Sequence, residues 1–445
     1  MHSPKTETAA LSPTSEQSRL AVAFRSLRHR NFQLFFSGQL ISLIGTWMQN
    51  VAQSWLVYKL TGSSLLLGAV GFCSQIPIFL LSPIAGAIVD RRTRHRLVIA
   101  TQTVSMILAF ILAAITLLGV VKVWHIFVLS ALLGFVNAFD IPARQAFLVE
   151  MVGRENLMNA IALNSSMFNG ARIVGPAIAG ILVATIGEGW CFFVNAVSYI
   201  AVIVGLMMMK VPARAEHLRE TSAWNDIKEG FNWVFDTKPI FALLLLVGLV
   251  SLVGMPYAVL MPVFADQILH SGARGLGILM GFSGAGALIG ALTLAAKSGL
   301  KGLGTWVAAC SASFGVFLIL FAHSKMFWVS AALLIPVGLF MMVQMASTNT
   351  LIQAMVPDRL RGRVMSVYSM MMMGMAPLGA LLAGALSDRI GAALTVGLGG
   401  VCSILGSIWF GTRLPMIRGE ARRLIIAQSY VGGDPPQEMT TVSES

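Results

Sequence analysis

Arg172 is the only charge within residues 156–187, an otherwise largely apolar stretch. A guanidinium in such surroundings needs water, an acid or an anionic ligand. It can therefore bind an anionic or strongly polar molecule in a cavity, or serve as a structural cation bonded to groups such as Asn164 or Asn169. A second pair is Asp140 and Arg144, four residues apart, which can join if the helix survives Pro142 between them. Asp140 has a competing role as a proton carrier. A third group is the basic run from Gly86 through Asp90, Arg91, Arg92, Thr93 and Arg94 to Arg96. Amides and aromatics form a fourth: Gln39, Trp47, Gln49, Asn50 and Gln53, then Tyr257, Gln344 and Asn349. They suit a cavity for a polar aromatic molecule, and equally serve as hydrogen-bond partners between helices. Cys73, Cys191, Cys310 and Cys402 lie in apolar runs without metal or redox spacing, so no metal and no cofactor are expected. The chain has no phosphate-binding loop of the Walker type, no nucleophile elbow and no dinucleotide loop, so neither ATP-driven work nor an enzyme is expected.

The elements that must position these residues are membrane helices. The 445 residues are 56% hydrophobic and only 11% charged, against roughly a quarter charged in soluble domains. That excludes a soluble enzyme and a soluble nucleic-acid binder. Eleven stretches of at least 17 residues lack Asp, Glu, Lys and Arg: 31–58, 65–89, 97–121, 123–139, 189–209, 239–265, 275–296, 302–322, 326–357, 364–387 and 390–412. The segment 156–187, interrupted only by Arg172, is the twelfth. About 20 apolar residues cross a bilayer as a helix. The short alternating segments of a membrane β-barrel are absent. The expected fold is an all-α membrane protein with twelve spans, numbered 1 to 12 in chain order.

An even count puts both termini on one side. That side, with the loops after spans 2, 4, 6, 8 and 10, carries 25 of the 31 Lys and Arg, and the opposite loops carry five. The bias predicts cytoplasmic termini. The expected divisions are a tail over 1–30, a six-helix bundle over 31–209, a cytoplasmic linker over 210–238, a second bundle over 239–412 and a tail over 413–445. Trp224, Ile227, Phe231, Val234 and Phe235 recur at helical spacing in the linker and predict a short surface helix. The tail is basic at first, then rich in Gly, Pro, Ser and Thr, and is expected to be disordered.

The two bundles repeat. Arg144–Gly187 aligns without gaps to Thr348–Gly391 at an offset of 204, with Gly170, Gly175, Gly180 and Gly187 meeting Gly374, Gly379, Gly384 and Gly391. Ser42–Gly45 echoes Ser251–Gly254 at an offset of 209. Two like-oriented halves are a transporter architecture, with a cavity between them near mid-membrane.

The run Gly86 to Arg96 resembles the loop signature between helices 2 and 3 of the major facilitator superfamily, with Thr93 where that signature has glycine. Residues 169–180, Asn-Gly-Ala-Arg-Ile-Val-Gly-Pro-Ala-Ile-Ala-Gly, resemble the helix-5 motif of its antiporters, with Ala171 and Ala179 for two glycines. The strings from Phe24 and Phe139 are similar to the bacterial branch that includes the enterobactin exporter and related efflux proteins. The resemblance covers about residues 24–412. It implies a latch made by Gly86, Asp90, Arg91, Arg94, Asp140 and Arg144. Gly86 would let span 2 approach a neighbour, Asp140 would pair with Arg94, and Asp90 would cap the start of span 11 near Arg361 to Val364. This network would close the cytoplasmic side in the outward-open state. The resemblance also implies that Ala171, Gly175, Pro176, Ala179 and Gly180 pack span 5 against span 8, and that span 1 lines the cavity.

The function expected is proton-driven export of small organic molecules, siderophore- or drug-like, across the bacterial inner membrane. The candidate substrate residues are Arg172, Trp47, Gln49, Asn50, Gln53, Asn164, Tyr257, Gln344 and Asn349. The expected partners are a small-molecule substrate, protons and the lipid bilayer, without nucleic acid, in a monomer. A lipid flippase, a facilitated-diffusion carrier and a non-transporting membrane sensor or assembly partner are the alternatives.

Overall fold

The computed structural model describes residues 25–90, 92–153, 155–209, 223–297 and 299–432. Among them every regular element is a helix. In lipid, a helix satisfies its own backbone groups, and strongly apolar runs of this length have no other stable arrangement. The spans are Arg30–Thr61, Ser64–Asp90, Arg94–Leu117, Val123–Val152, Leu157–Ile186 and Glu188–Met207, then Lys238–Ile268, Gly272–Ala296, Leu303–His323, Phe327–Met355, Asp358–Ile390 and Ala392–Gly432. Eleven of these are long and apolar enough to cross a membrane by composition alone. The first, 32 residues long, packs on spans 5 and 6. Its Gln33, Gln39, Gln49, Asn50 and Gln53 make it less apolar than the others.

Several boundaries move. Span 4 continues through Pro142 to Val152, which brings Asp140 and Arg144 onto one helix. Span 12 continues through Pro415 to Gly432, so the first twenty residues of the expected tail are helical, and 433–445 lie outside the described residues. Spans 7 and 11 are interrupted where the N-terminal half runs straight. Span 7 carries π turns at Val250–Gly254 and Phe264–Ile268 around Pro256 and Pro262, and span 11 a π turn at Met370–Gly374. Proline removes a ladder donor and crowds the preceding turn, which favours such wider turns. A linker helix, Ala223–Asp236, packs on the start of span 11, where Glu229 pairs with Arg359 and Arg363. The side chains of Trp224 and Ile227 lie outside the described residues.

The repeat seen in the sequence is present in the packing. Gly187 and Gly391 end spans 5 and 11 with φ of 90° and 88°, a conformation that suits glycine. Gly68 of span 2 lies against the Ala380 carbonyl of span 11, and Gly277 of span 8 lies against the Pro176 carbonyl of span 5. Gly134 meets the Ser74 carbonyl, and Gly338 meets that of Ser283. In both cases the partners are related by the same offsets of 204 and 209. Each of these glycines is needed because a Cβ would collide with backbone oxygen.

Candidate functional site

Call the face where the described chain begins and ends the near face, and the other the far face. The halves meet chiefly through span 2 with span 11 and span 5 with span 8. On the far face, Asp388 of span 11 accepts from the Ser63 hydroxyl at 2.8 Å and from the Ser64 and Leu65 amides at 2.7 and 3.2 Å. Those amides are exposed donors at the start of span 2, where a helix dipole favours an anion. Ser387 adds a 2.9 Å bond to Ser64. The glycine contacts then run inward along both seams and end about midway, at Gly374 on Phe79 and at Gly284 on the Arg172 carbonyl. From that level toward the near face, Asp358–Ser369 of span 11 packs on span 10 and the linker helix rather than on an N-terminal span, and a Cβ at Gly86, Gly170 or Gly362 would meet nothing within 4 Å.

Arg172 lies at the level where the seams end. It is fifteen residues into Leu157–Ile186, about 22 Å from the near end at 1.5 Å per residue. Its guanidinium lies over the Trp47 ring of span 1, 5.8 Å from the centroid. Trp47 in turn meets Phe168 edge-on at 5.5 Å. Among the described residues Arg172 has no hydrogen bond and no ion pair. Asn169, one expected structural partner, donates to the Ser165 carbonyl of its own helix instead. In the C-terminal half, the Tyr257 hydroxyl of span 7 bonds Ser283 of span 8 at 2.8 Å, beside the Gly284 that packs on Arg172. Asn50, one turn after Trp47, is exposed at mid-depth, and Asn164 is half-buried toward the near face.

Other expected cavity residues are placed elsewhere. Gln49 is buried and accepts from Asn195 of span 6 at 2.7 Å, and Gln53 donates to Ser130 of span 4 at 2.9 Å. Both bonds lie inside the N-terminal half, so these amides hold helices together rather than face the space between halves. Gln344 is 1% exposed, inside the C-terminal half. Asn349 accepts from Gln353 on its own helix near the near face.

The near-face charges meet one expectation, the Asp140–Arg144 pair, and depart from another. Asp140 is buried and pairs with Arg144 at 2.9 Å, and it accepts from Thr101 at 2.7 Å and Gln102 at 2.9 Å. Arg94 pairs with Glu150 at 3.0 Å rather than with Asp140. A Cβ at Gly86 would meet nothing within 4 Å, so span 2 makes its close approach at Gly68 instead. The side chain of Asp90 and all of Arg91 lie outside the described residues.

The helix-5 seam serves two neighbours. Ala171 and Gly175 pack on Leu43, Ile44 and Trp47 of span 1, a correction to the expected span 8. Ala179 is fully buried one turn further along. Span 8 takes the adjoining face, with Gly277 on Pro176 and Gly180, and Gly284 on Arg172. Sequence reasoning missed Thr101, Gln102, Glu150, Phe168 and the Asp388 cap. Thr101 and Gln102 carried a signal as adjacent polar residues inside span 3. Glu150 and Asp388 sit at helix ends among many other charges and carried none.

Two pseudo-symmetric six-helix bundles, closed at one face and parted at the other around a mid-depth cation, define a membrane transporter. A family profile described as transmembrane secretion effector matches residues 21–436. The chain belongs to that family of the major facilitator superfamily, whose members are transporters and not enzymes. It is 29% identical over 375 residues to the staphyloferrin A transporter of Staphylococcus aureus, covering 83% of this chain and 93% of that one. It is 26% identical over 399 residues to the enterobactin exporter of Shigella boydii, covering 89% and 93%. Among solved structures, the nucleoside transporter NupG superposes with a TM-score of 0.67 at 13% identity, covering 87% of this chain and 99% of that one. That likeness is one of fold.

Proposed function

We propose that this protein exports small organic molecules, siderophore-like in kind, across the bacterial inner membrane by alternating access, with both termini in the cytoplasm. The observation that carries the reading is the far-face closure along two pseudo-equivalent glycine seams while the halves part toward the near face. With the basic near face in the cytoplasm, this is the state that loads cargo from inside. Trp47, Asn50, Asn164 and Arg172 are the residues assigned to the cargo, whereas Tyr257, buried and bonded to Ser283 within the C-terminal half, is not. In the opposite state Asp90, Arg91 and Arg94 would draw the near ends of the halves together, and Arg94 would exchange Glu150 for a partner across the gap.

Protons are the proposed driver, since one charge crossing 100 mV makes about 2.3 kcal/mol available. Asp140 is the carboxylate proposed to carry the proton, because it is buried and joined to the near-face charges. No other carboxylate lies deeper in a span, and this favours a facilitated-diffusion carrier as the second reading. Efflux from loaded vesicles, with and without an imposed pH gradient, tests both against a panel of siderophores, drugs and lysolipids. Efflux of a panel member that accelerates with the gradient supports the first, and gradient-independent efflux the second. No flux of any compound rejects both. Asp90→Asn should slow efflux while leaving the protein inserted.

A further inference from the structure

We propose that Arg172 recognises the charge of the cargo: the transported molecule is an organic anion whose carboxylate, or an equivalent planar oxyanion, pairs with the guanidinium while its flat body lies against Trp47 and Phe168. This rests on the transporter reading above and names the substrate class for it.

The first support is the missing counter-charge. A guanidinium has five donors, and among the described residues that of Arg172 lies on the Trp47 ring with no hydrogen bond and no ion pair. A ring face attracts the cation but leaves the N–H donors unbonded. From mid-span the side chain is too short to reach either face. The deepest acid in another span, Asp140, is already held by Arg144, Thr101 and Gln102. An acid from outside the protein is the natural partner.

The second support comes from the repeat. Arg172 corresponds to Ala376 at the offset of 204. The seam around Ala376 packs as the seam around Arg172 does, with Gly68 on Ala380 matching Gly277 on Pro176. The helix contact is therefore built equally well with a methyl group at this position. A purely structural arginine has no counterpart to explain it.

The third is the shape of the surroundings. Arg172 is at the level of the last glycine contact between spans 5 and 8, and a Cβ at Gly170, two residues toward the near face, would meet nothing within 4 Å. Phe168, one turn before it, is 45% exposed and meets Trp47 edge-on, so an apolar aromatic surface adjoins the cation. Arginine binds planar oxyanions through two parallel bonds, which selects a carboxylate over a spherical ion. A flat apolar group attached to that carboxylate would cover the ring surface.

The test uses the full chain in detergent micelles, with sodium benzoate and sodium citrate as anionic probes and benzamide as the neutral match. Binding is read from the unfolding midpoint against probe concentration. The expected result is a saturable rise with at least one of the two anions and none with benzamide. Arg172→Gln should weaken half-saturation by about tenfold or more. Arg172→Lys, which keeps the charge but loses the fork, should fall between, and it decides the matter if the Gln variant is poorly folded. No saturable rise with either anion, an equal rise with benzamide, or an unchanged rise in both variants overturns the proposal. The binding measurement is independent of flux. Anion binding without any vesicle transport would leave this site standing and reject the transporter reading, and transport of neutral panel members alone would do the reverse.

Discussion

The two halves share a packing plan and differ in what they place on it. Asp140 corresponds to Gln344, Arg144 to Thr348, Gln102 to Ser311, Arg94 to Leu303 and Glu150 to Ala354, by the offsets of 204 and 209. In the N-terminal half these positions form a bonded charge cluster around Asp140. In the C-terminal half they are neutral. Thr348 bonds the Gln344 backbone carbonyl at 2.8 Å, and the Gln344 amide and the Ser311 hydroxyl, both buried, have no protein partner. The C-terminal half also carries the π turns in spans 7 and 11, while spans 1 and 5 are unbroken. Duplication supplied two copies of the glycine seams, and the charge cluster around Asp140 stands on one copy only.

The comparison breaks most readily at its centre. Asp140→Ala leaves the half-buried Arg144 without its acid and removes the acceptor of the buried Thr101 and Gln102. Leaving buried donors without their acceptor costs about 1–3 kcal/mol each, to which the lost ion pair adds. Gln344→Leu at the equivalent position removes an amide that has no protein partner, so its expected effect on stability is near zero or favourable. Unfolding midpoints of the two variants in detergent measure the contrast. Equal losses would mean that the C-terminal half holds its polar group as firmly as the N-terminal half does.

The seams should behave alike where the charges do not. Gly68→Val and Gly277→Val each drive a side chain into a carbonyl of the facing helix, with an expected cost of about 1–3 kcal/mol apiece. Both should also loosen the far-face closure, measured as a greater distance between spin labels on spans 2 and 11 or 5 and 8. An effect at one seam alone would show that the pseudo-symmetry stops at the backbone. Asp388→Ala removes the cap on span 2, a contact with no equivalent at Ala184 and Gly272. Its expected cost is about 1 kcal/mol, with the same widening on the far face at the 2–11 seam only.

Much of this was legible in the sequence because bilayers constrain it so tightly. Twelve charge-poor stretches had to become helices, and glycines in register had to mark close approach, as Gly175, Gly180, Gly379 and Gly384 do. Arg172 stood out because nothing nearby matched its charge. The direction of side chains around a helix was harder to read. Gln49, Asn50 and Gln53 occupy one span within five residues, yet two turn into their own half and one is exposed. Partner choice among near-face charges was harder still. Arg94 had acids at 90, 140 and 150 within reach of a plausible fold, and spacing alone does not choose among them.

Arg94 and Glu150 offer the smallest effect and the finest distinction. Both are partly exposed, at 22% and 17% of their side-chain surface, so water competes for each. A double-mutant cycle of Arg94→Ala and Glu150→Ala should give a coupling of about 0.5 kcal/mol, diminished by salt. That is well below the loss expected at Asp140, although the two pairs lie in the same cluster. A pair this weak separates readily. The proposed gating role of Arg94 requires such a pair, whereas Asp140 is held by three partners. A measured coupling above about 2 kcal/mol, in the range of a buried pair, would instead make Arg94 a fixed strut of the N-terminal half and remove it from the near-face gate.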